Sequence, residues 1–222
     1  MEIVSKSLHH SNIVFIFDEK FRHPENSEIF SLYKGESASG ANFIDDANFK
    51  IKILDLPRLK IQIVMEPDRV IIEDNSQNEP ENSSLIWEAA NIYFKLFKNL
   101  KLRGFGFNFD IYYRSRNVIS LDNLFLKFSN NQNLEDYNLV DFGLQFTLDK
   151  KLNQTDQYFL KIVSPMELAV RLNPHFNVKE IPLNPPNLGE KDELNKKRIL
   201  PLQKIFEKSY NEADEIIANL LI

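Results

Sequence analysis

The side chains with the most chemical promise are cations interleaved with aromatic rings near the middle of the chain. Lys95, Lys98, Lys101, Arg103, Arg114 and Arg116 surround Phe105, Phe107, Phe109, Tyr112 and Tyr113, with Asn108 and Asp110 between them. A positive groove with ring platforms is the chemistry that holds single-stranded nucleic acid, because cations meet phosphates and bases stack on rings. Strand alternation favours a plainer account. It sends Arg103, Phe105, Phe107, Phe109, Ile111 and Tyr113 to one side, and Leu102, Gly104, Gly106, Asn108, Asp110 and Tyr112 to the other. The phenylalanines are then a core face and the cations solvated ends. Asp110 on the second side works against phosphate there. The candidate binding surface is Lys95, Lys98, Lys101, Arg103, Asn108, Asp110, Tyr112, Arg114 and Arg116.

Other chemistry is weaker. His9-His10, with His23 beyond, has metal-ligating side chains, but no carboxylate stands at ligand spacing to them. Pro67-Asp68 has the form of the first half of a nuclease carboxylate motif, yet no acidic-x-Lys follows on the next strand, so a turn is the better account. Asp18-Glu19-Lys20 has that second form but lies upstream. Gly104-Phe-Gly106 sits inside a strand, where it builds no phosphate cradle. His175 is isolated in a proline-rich stretch with no nucleophile elbow nearby. No catalytic, metal or cofactor residue is assigned.

The 222 residues include no cysteine, which rules out disulfides, thiolate metal sites and a cysteine nucleophile. The 18 phenylalanines against one tryptophan, with few glycines, fit an AT-rich genome. The segment Met1–His10 has an acidic second residue and no apolar core, so no signal peptide is expected, and no apolar run is long enough to span a bilayer. The expectation is a cytoplasmic protein with no membrane partner. Net charge is −5, unevenly spread: residues 84–135 hold 7 basic and 4 acidic side chains, while residues 1–83 hold 9 and 15. Such a balance suits a local basic face better than general nucleic-acid binding.

These residues need elements to position them. Residues 84–100 read as a helix in which Leu85, Ala89, Ile92, Leu96 and Leu100 form one apolar row and Ile86, Ala90, Tyr93 and Phe97 another. More than half its circumference is apolar, so it should be covered on two sides. Ser83 or Ser84 is its expected N-cap. Alternation predicts strands at 49–54, 59–65, 69–73, 102–113, 140–149 and 156–164, a buried strand at 12–18 and, by a weaker signal, one at 166–172. Short helices are expected at 27–33 and, capped by Ser120, at 120–128. Residues 173–200 read as an irregular connection, and Pro201 as the start of a terminal helix. The expected fold is α+β, an antiparallel sheet of about six or seven strands with two long helices on one face. The order hints at a β-β-β-α duplication within a single domain of residues 1–222, with pseudo-halves 1–100 and 101–222.

Leu59–Ile72 with its Glu-Pro-Asp-Arg turn, the helix-to-strand passage Phe94–Tyr113 and the helix Leu202–Leu220 resemble, in layout, a sporadically distributed prokaryotic family of uncharacterised proteins. The resemblance covers roughly half of the chain. It implies a single α+β domain and no particular activity. The functional expectation is a non-catalytic soluble protein acting through macromolecular interaction, as a regulatory or accessory subunit, with another protein or itself as partner. Two alternatives stand beside it. One is a single-stranded nucleic-acid binder using the middle third, and the other an enzyme or carrier with an aromatic-lined cavity between sheet and helices.

Overall fold

The computed structural model describes residues 2–18, 20, 22–33, 39–82, 84–96, 102–129, 138–150, 154–177 and 191–221. Their elements are β1 (Ile3–Phe17), α1 (Asn26–Phe30), β2 (Asn42–Asp46), β3 (Ile51–Leu56), β4 (Ile61–Glu66), β5 (Arg69–Asp74), α2 (Ser84–Lys95), β6 (Leu102–Ser115), α3 (Leu121–Phe128), β7 (Gly143–Lys150), β8 (Gln154–Ser164), β9 (Glu167–Asn177) and α4 (Lys191–Leu221). The strands form one sheet in the order β2-β3-β4-β5-β1-β6-β9-β8-β7, every pairing antiparallel.

This corrects the expected architecture. Among the described residues the sheet has nine strands rather than six or seven, and four helices accompany it, α4 spanning 31 residues and α2 only 12. The expected β-β-β-α unit also fails. Each half instead runs as a long strand, a short helix, a meander of three or four strands and a closing helix. The first strands of the two halves, β1 and β6, lie side by side at the middle of the sheet.

Tight turns explain the meander of the first half. Asp46 accepts the backbone N–H of Asn48 and of Phe49, and Lys50 takes a positive φ of 57° to close that turn. Pro67 and Asp68 form the turn between β4 and β5, as their residue types predict, with Glu66 and Arg69 paired across it at 2.6 Å. At α3 the Ser120 hydroxyl accepts the N–H of Asn123, the expected cap. Of the two expected caps of α2, Ser83 lies outside the described residues and Ser84 is the first residue of the helix.

The core lies on one face of the sheet. Phe105, Phe107, Phe109, Ile111 and Tyr113 of β6 are buried there, beside Ile13, Phe15 and Phe17 of β1 and Leu168, Val170 and Leu172 of β9. All four helices cover this same face. Ring contacts show it: Phe30 of α1 on Phe43, Trp87 of α2 on Phe107, Phe128 of α3 on Phe146, and Phe206 of α4 on Phe109. The wide apolar surface of α2 has its two covers, because Trp87 also packs edge-on against Phe206 of α4 at 5.5 Å. Burying such rings contributes on the order of 2–3 kcal/mol each, so this face dominates the stability.

Polar groups close the helix layer. Lys6 lies 2.9 Å from Asp214 and above the ring of Tyr210, while the Tyr113 hydroxyl donates to Asp214 at 2.6 Å. Burial lowers the pKa of Lys6 against the opposing pull of Asp214, and raises that of Tyr113. These contacts join β1, β6 and α4. His23 joins the layer at the other end. Its Nε2–H donates to the carbonyl of Glu66, and its Nδ1 lies 2.8 Å from the hydroxyl of buried Tyr93.

α4 starts at Lys191, so Pro201 lies inside the helix and not at its start. A proline there removes one backbone donor, but its fixed φ is helical. Residues 178–190 of the expected irregular connection lie outside the described residues, while 173–177 belong to β9.

Candidate functional site: the helix-free face of the sheet

The opposite face carries no helix among the described residues. Its composition follows from the pairing register, which lines up equivalent residues of neighbouring strands. One row runs Ile44, Ile53, Val64, Ile71, Val14, Gly106, His175 and Thr155 across eight adjacent strands. Its first five members are β-branched aliphatic residues standing side by side. Ile44 is 52% exposed, and Ile53, Val64, Ile71 and Val14 are partly exposed. A neighbouring row is polar: Asn42, Asp55, Gln62, Glu73, Asn12 and Asn108. Within it the Asn108 side-chain amide donates to Asn12.

A third cluster occupies the end of this face nearer the first residues of β1. His10 pairs with Asp110 in register, and Asp110 with Arg171. The Arg171 guanidinium grips Asp110 with two bonds, Nε to Oδ1 at 2.6 Å and Nη2 to Oδ2 at 3.1 Å, and Asp110 holds the Arg171 pKa up. His10 Nδ1 stands 3.7 Å from the same carboxylate. His9 stacks flat on Tyr112, ring centroids 3.9 Å apart. Both histidines reach this side because β1 carries a bulge. Leu8 pairs with Ile111 and His10 with Asp110, leaving His9 as the extra residue.

Gly106 has a packing reason. A Cβ there would come within 2.6 Å of His175 Nδ1, so the imidazole lies directly on the glycine. That contact shields His175 on one side, and burial lowers its pKa. Gly104 is held by a different neighbour, the carbonyl of Phe176, 3.1 Å from where its Cβ would be.

The predicted surface residues separate into groups. Asn108, Asp110, Tyr112 and Arg114 do share the helix-free face. Lys95 is exposed at the end of α2, on the helix side. Arg103 is exposed but shares the parity of the phenylalanine face, and Arg116 lies past the end of β6, paired with Glu2 at 3.1 Å. Lys98 and Lys101 lie outside the described residues. The structure therefore brings four of the nine together and leaves the described cations Lys95, Arg103 and Arg116 apart from them. Sequence reading missed His9, His10, Asn12, Arg171 and His175 as members of the face. Alternation over 167–177 carried the signal for Arg171 and His175, but the bulge hid His9 and His10.

No protein-family model matches this sequence, and no curated protein matches it either. The site is therefore read from its own chemistry. Among the described residues no cluster of three His, Asp or Glu side chains is arranged to hold a metal. Asp110 and Tyr112 point away from the helices and lie towards the end of β6, so they do not converge with Arg103 at its start. The space between sheet and helices under β6 is filled by Trp87, Phe206 and Tyr210, whose rings stand 4.7–6.5 Å from those of Phe107 and Phe109. No helix is long and apolar enough to cross a membrane among the described residues.

Proposed function

We propose that this chain is a non-catalytic, cytoplasmic interaction protein, a regulatory or accessory subunit, and that the helix-free sheet face is its contact surface. One observation carries the reading. Ile44, Ile53, Val64, Ile71 and Val14 stand in register across five adjacent strands on the side where, among the described residues, no helix packs. An aliphatic row of that length is a standing gain for any surface that covers it, at about 25 cal/mol per Å² of apolar area removed from water. Two further features support a contact role over a reaction. Asp110, Arg171 and His10 of this face satisfy one another in a single ion cluster. Asp55, Glu66 and Glu73 share the face, an arrangement that repels phosphate and weighs against the nucleic-acid alternative.

Site-specific photocrosslinking in the cells that make the protein tests the reading. A crosslinker at position 14 is expected to give a protein adduct. One at position 204, an exposed site on the outer side of α4, is expected to give none. Adducts from position 204 and none from position 14 would put the contact on the helix layer and overturn the proposal.

A further inference from the structure

We infer that the occupant of this face is a second copy of the same chain, docked sheet to sheet about a two-fold axis that runs along β1. The inference rests on the contact-surface reading above and names the partner. β1 is the middle strand, with four strands on either side. A two-fold axis lying along it, in the plane between the two sheets, lays β5 and β4 of one copy over β6 and β9 of the other, and does so twice by symmetry.

That superposition matches unlike surfaces. Val14, on the axis, meets its own counterpart. Ile71 and Val64 come over the second copy's Gly106 and His175, where the missing side chain lets an imidazole lie flat against the sheet. Charge favours the same axis. Among the described residues the β2–β5 half of the face carries Asp46, Asp55, Glu66 and Glu73 against Arg69. The β6–β9 half is balanced, with Arg114, Lys161 and Arg171 against Asp110, Glu167 and Asp141, the last 3.5 Å from Lys161. The axis along β1 therefore sets an acidic half on a balanced one. An axis across the strands would set each half on itself, acid on acid. Glu73 has no ion partner among the described residues of its own chain, and in this arrangement it stands one row and one strand away from the second copy's Arg171.

Area sets the strength. With strands about 4.8 Å apart and about 3.4 Å per residue, the five central strands offer on the order of 500 Å² per copy. Sheet twist of about 20° per strand keeps the outer strands from joining fully. A standard interface takes about 800 Å² per partner, so the dimer belongs at the weak end, with a Kd of micromolar order. The sheet edge is a poorer route to self-association. β2 is five residues long and carries Asp45 and Asp46, features that block strand addition.

Sedimentation of the full chain from about 1 to about 100 µM tests the inference, since that range brackets a micromolar Kd. The mass is expected to rise from 26.0 kDa towards twice that value. Val14→Arg, which puts two cations on the axis, and Ile71→Lys, which puts a cation over His175, are each expected to weaken the dimer at least about tenfold, or 1.4 kcal/mol. Unchanged circular dichroism confirms that each variant is folded. Lys204→Glu on α4 is expected to dimerise as the parent does. A wild-type chain that stays at 26.0 kDa throughout, or folded variants that dimerise undiminished, overturns the two-fold. The crosslinker at position 14 separates the two levels. An adduct of two identical chains supports this inference. An adduct with a different protein overturns it and leaves the contact-surface reading standing. A monomer with no adduct overturns both.

Discussion

The two faces of β6 are built from the same strand and differ in nearly every physical respect. Phe105, Phe107, Phe109, Ile111 and Tyr113 go under the helices and are 0–3% exposed. Gly104, Gly106, Asn108, Asp110, Tyr112 and Arg114 go the other way and meet a mixed set of neighbours from β1 and β9, among them Val14, Asn12, His10 and Arg171. The first face is held by area and close ring packing, so it resists change at any position. The second is held by directional pairs that solvent screens. Stability therefore resides on one side of the strand, which leaves the other side free to vary its chemistry without unfolding the sheet.

Phe107→Ala tests the comparison most severely. The ring touches Trp87, Phe176 and Phe206, and the cavity left behind should cost about 3–5 kcal/mol by urea denaturation. A loss below about 1 kcal/mol would mean the helix layer is loosely packed and the contrast false.

Acid is the next probe, because each face carries a histidine whose pKa burial has lowered. His23 sits on the helix side and His175 on the bare side. A lowered folded-state pKa means that the unfolded chain binds the proton first. Stability is then fully present above the unfolded value near 6.5 and falls as pH drops through it, by at most about 1.4 kcal/mol per pH unit for each proton. His23→Gln and His175→Gln should each flatten the fall in melting temperature between about pH 7 and pH 5. A variant that falls as steeply as the parent would mean that its face leaves the histidine open to solvent.

The smallest expected effect is Asp110→Asn. It removes the negative charge and one of the two oxygens that Arg171 grips; that side chain is 57% exposed, so solvent screening limits the loss to about 0.2–1 kcal/mol, diminishing further in salt. Chemical denaturation at two salt concentrations measures it. A larger, salt-independent loss would make the bare face a second core.

Much of this contrast was legible in the residues. Period-two alternation assigned residues 104–113 to their correct sides but failed at the start of β6, where a register shift pairs Leu102 with core-face Phe17 and leaves Arg103 exposed. The width of the apolar surface on α2 announced two covers before α4 was seen to supply one. The turn at Pro67-Asp68 and the cap at Ser120 were local, and local chemistry names them directly. The strand count and order were not legible. β2 is only Asn42–Asp46, half polar and close to a glycine, so it resembles the loop around it. β1 begins ahead of the expected strand because Ser5, Lys6, Ser7, His9 and His10 look like a solvated segment. Their backbone is organised by β6, a partner about a hundred residues away that no local pattern reports. The start of α4 was misplaced for a related reason, since a proline permits a helix start without requiring one. The candidate site suffered most, because a face is a property of register, and register depends on which strands are neighbours.

The bulge at His9 has a consequence for how this face tolerates change in length. Leu8 turns inward, His10 outward and Ser11 inward; without His9 the three would alternate as an uninterrupted strand. Of the three register shifts between β1 and β6, this one inserts a single residue in mid-strand, and the insertion is the one that stacks on Tyr112. A single-codon deletion would leave the inward-facing series of β1 unchanged and subtract only from the outer surface. In a sheet where one residue usually decides which way every later side chain points, this is a position where length is a surface property.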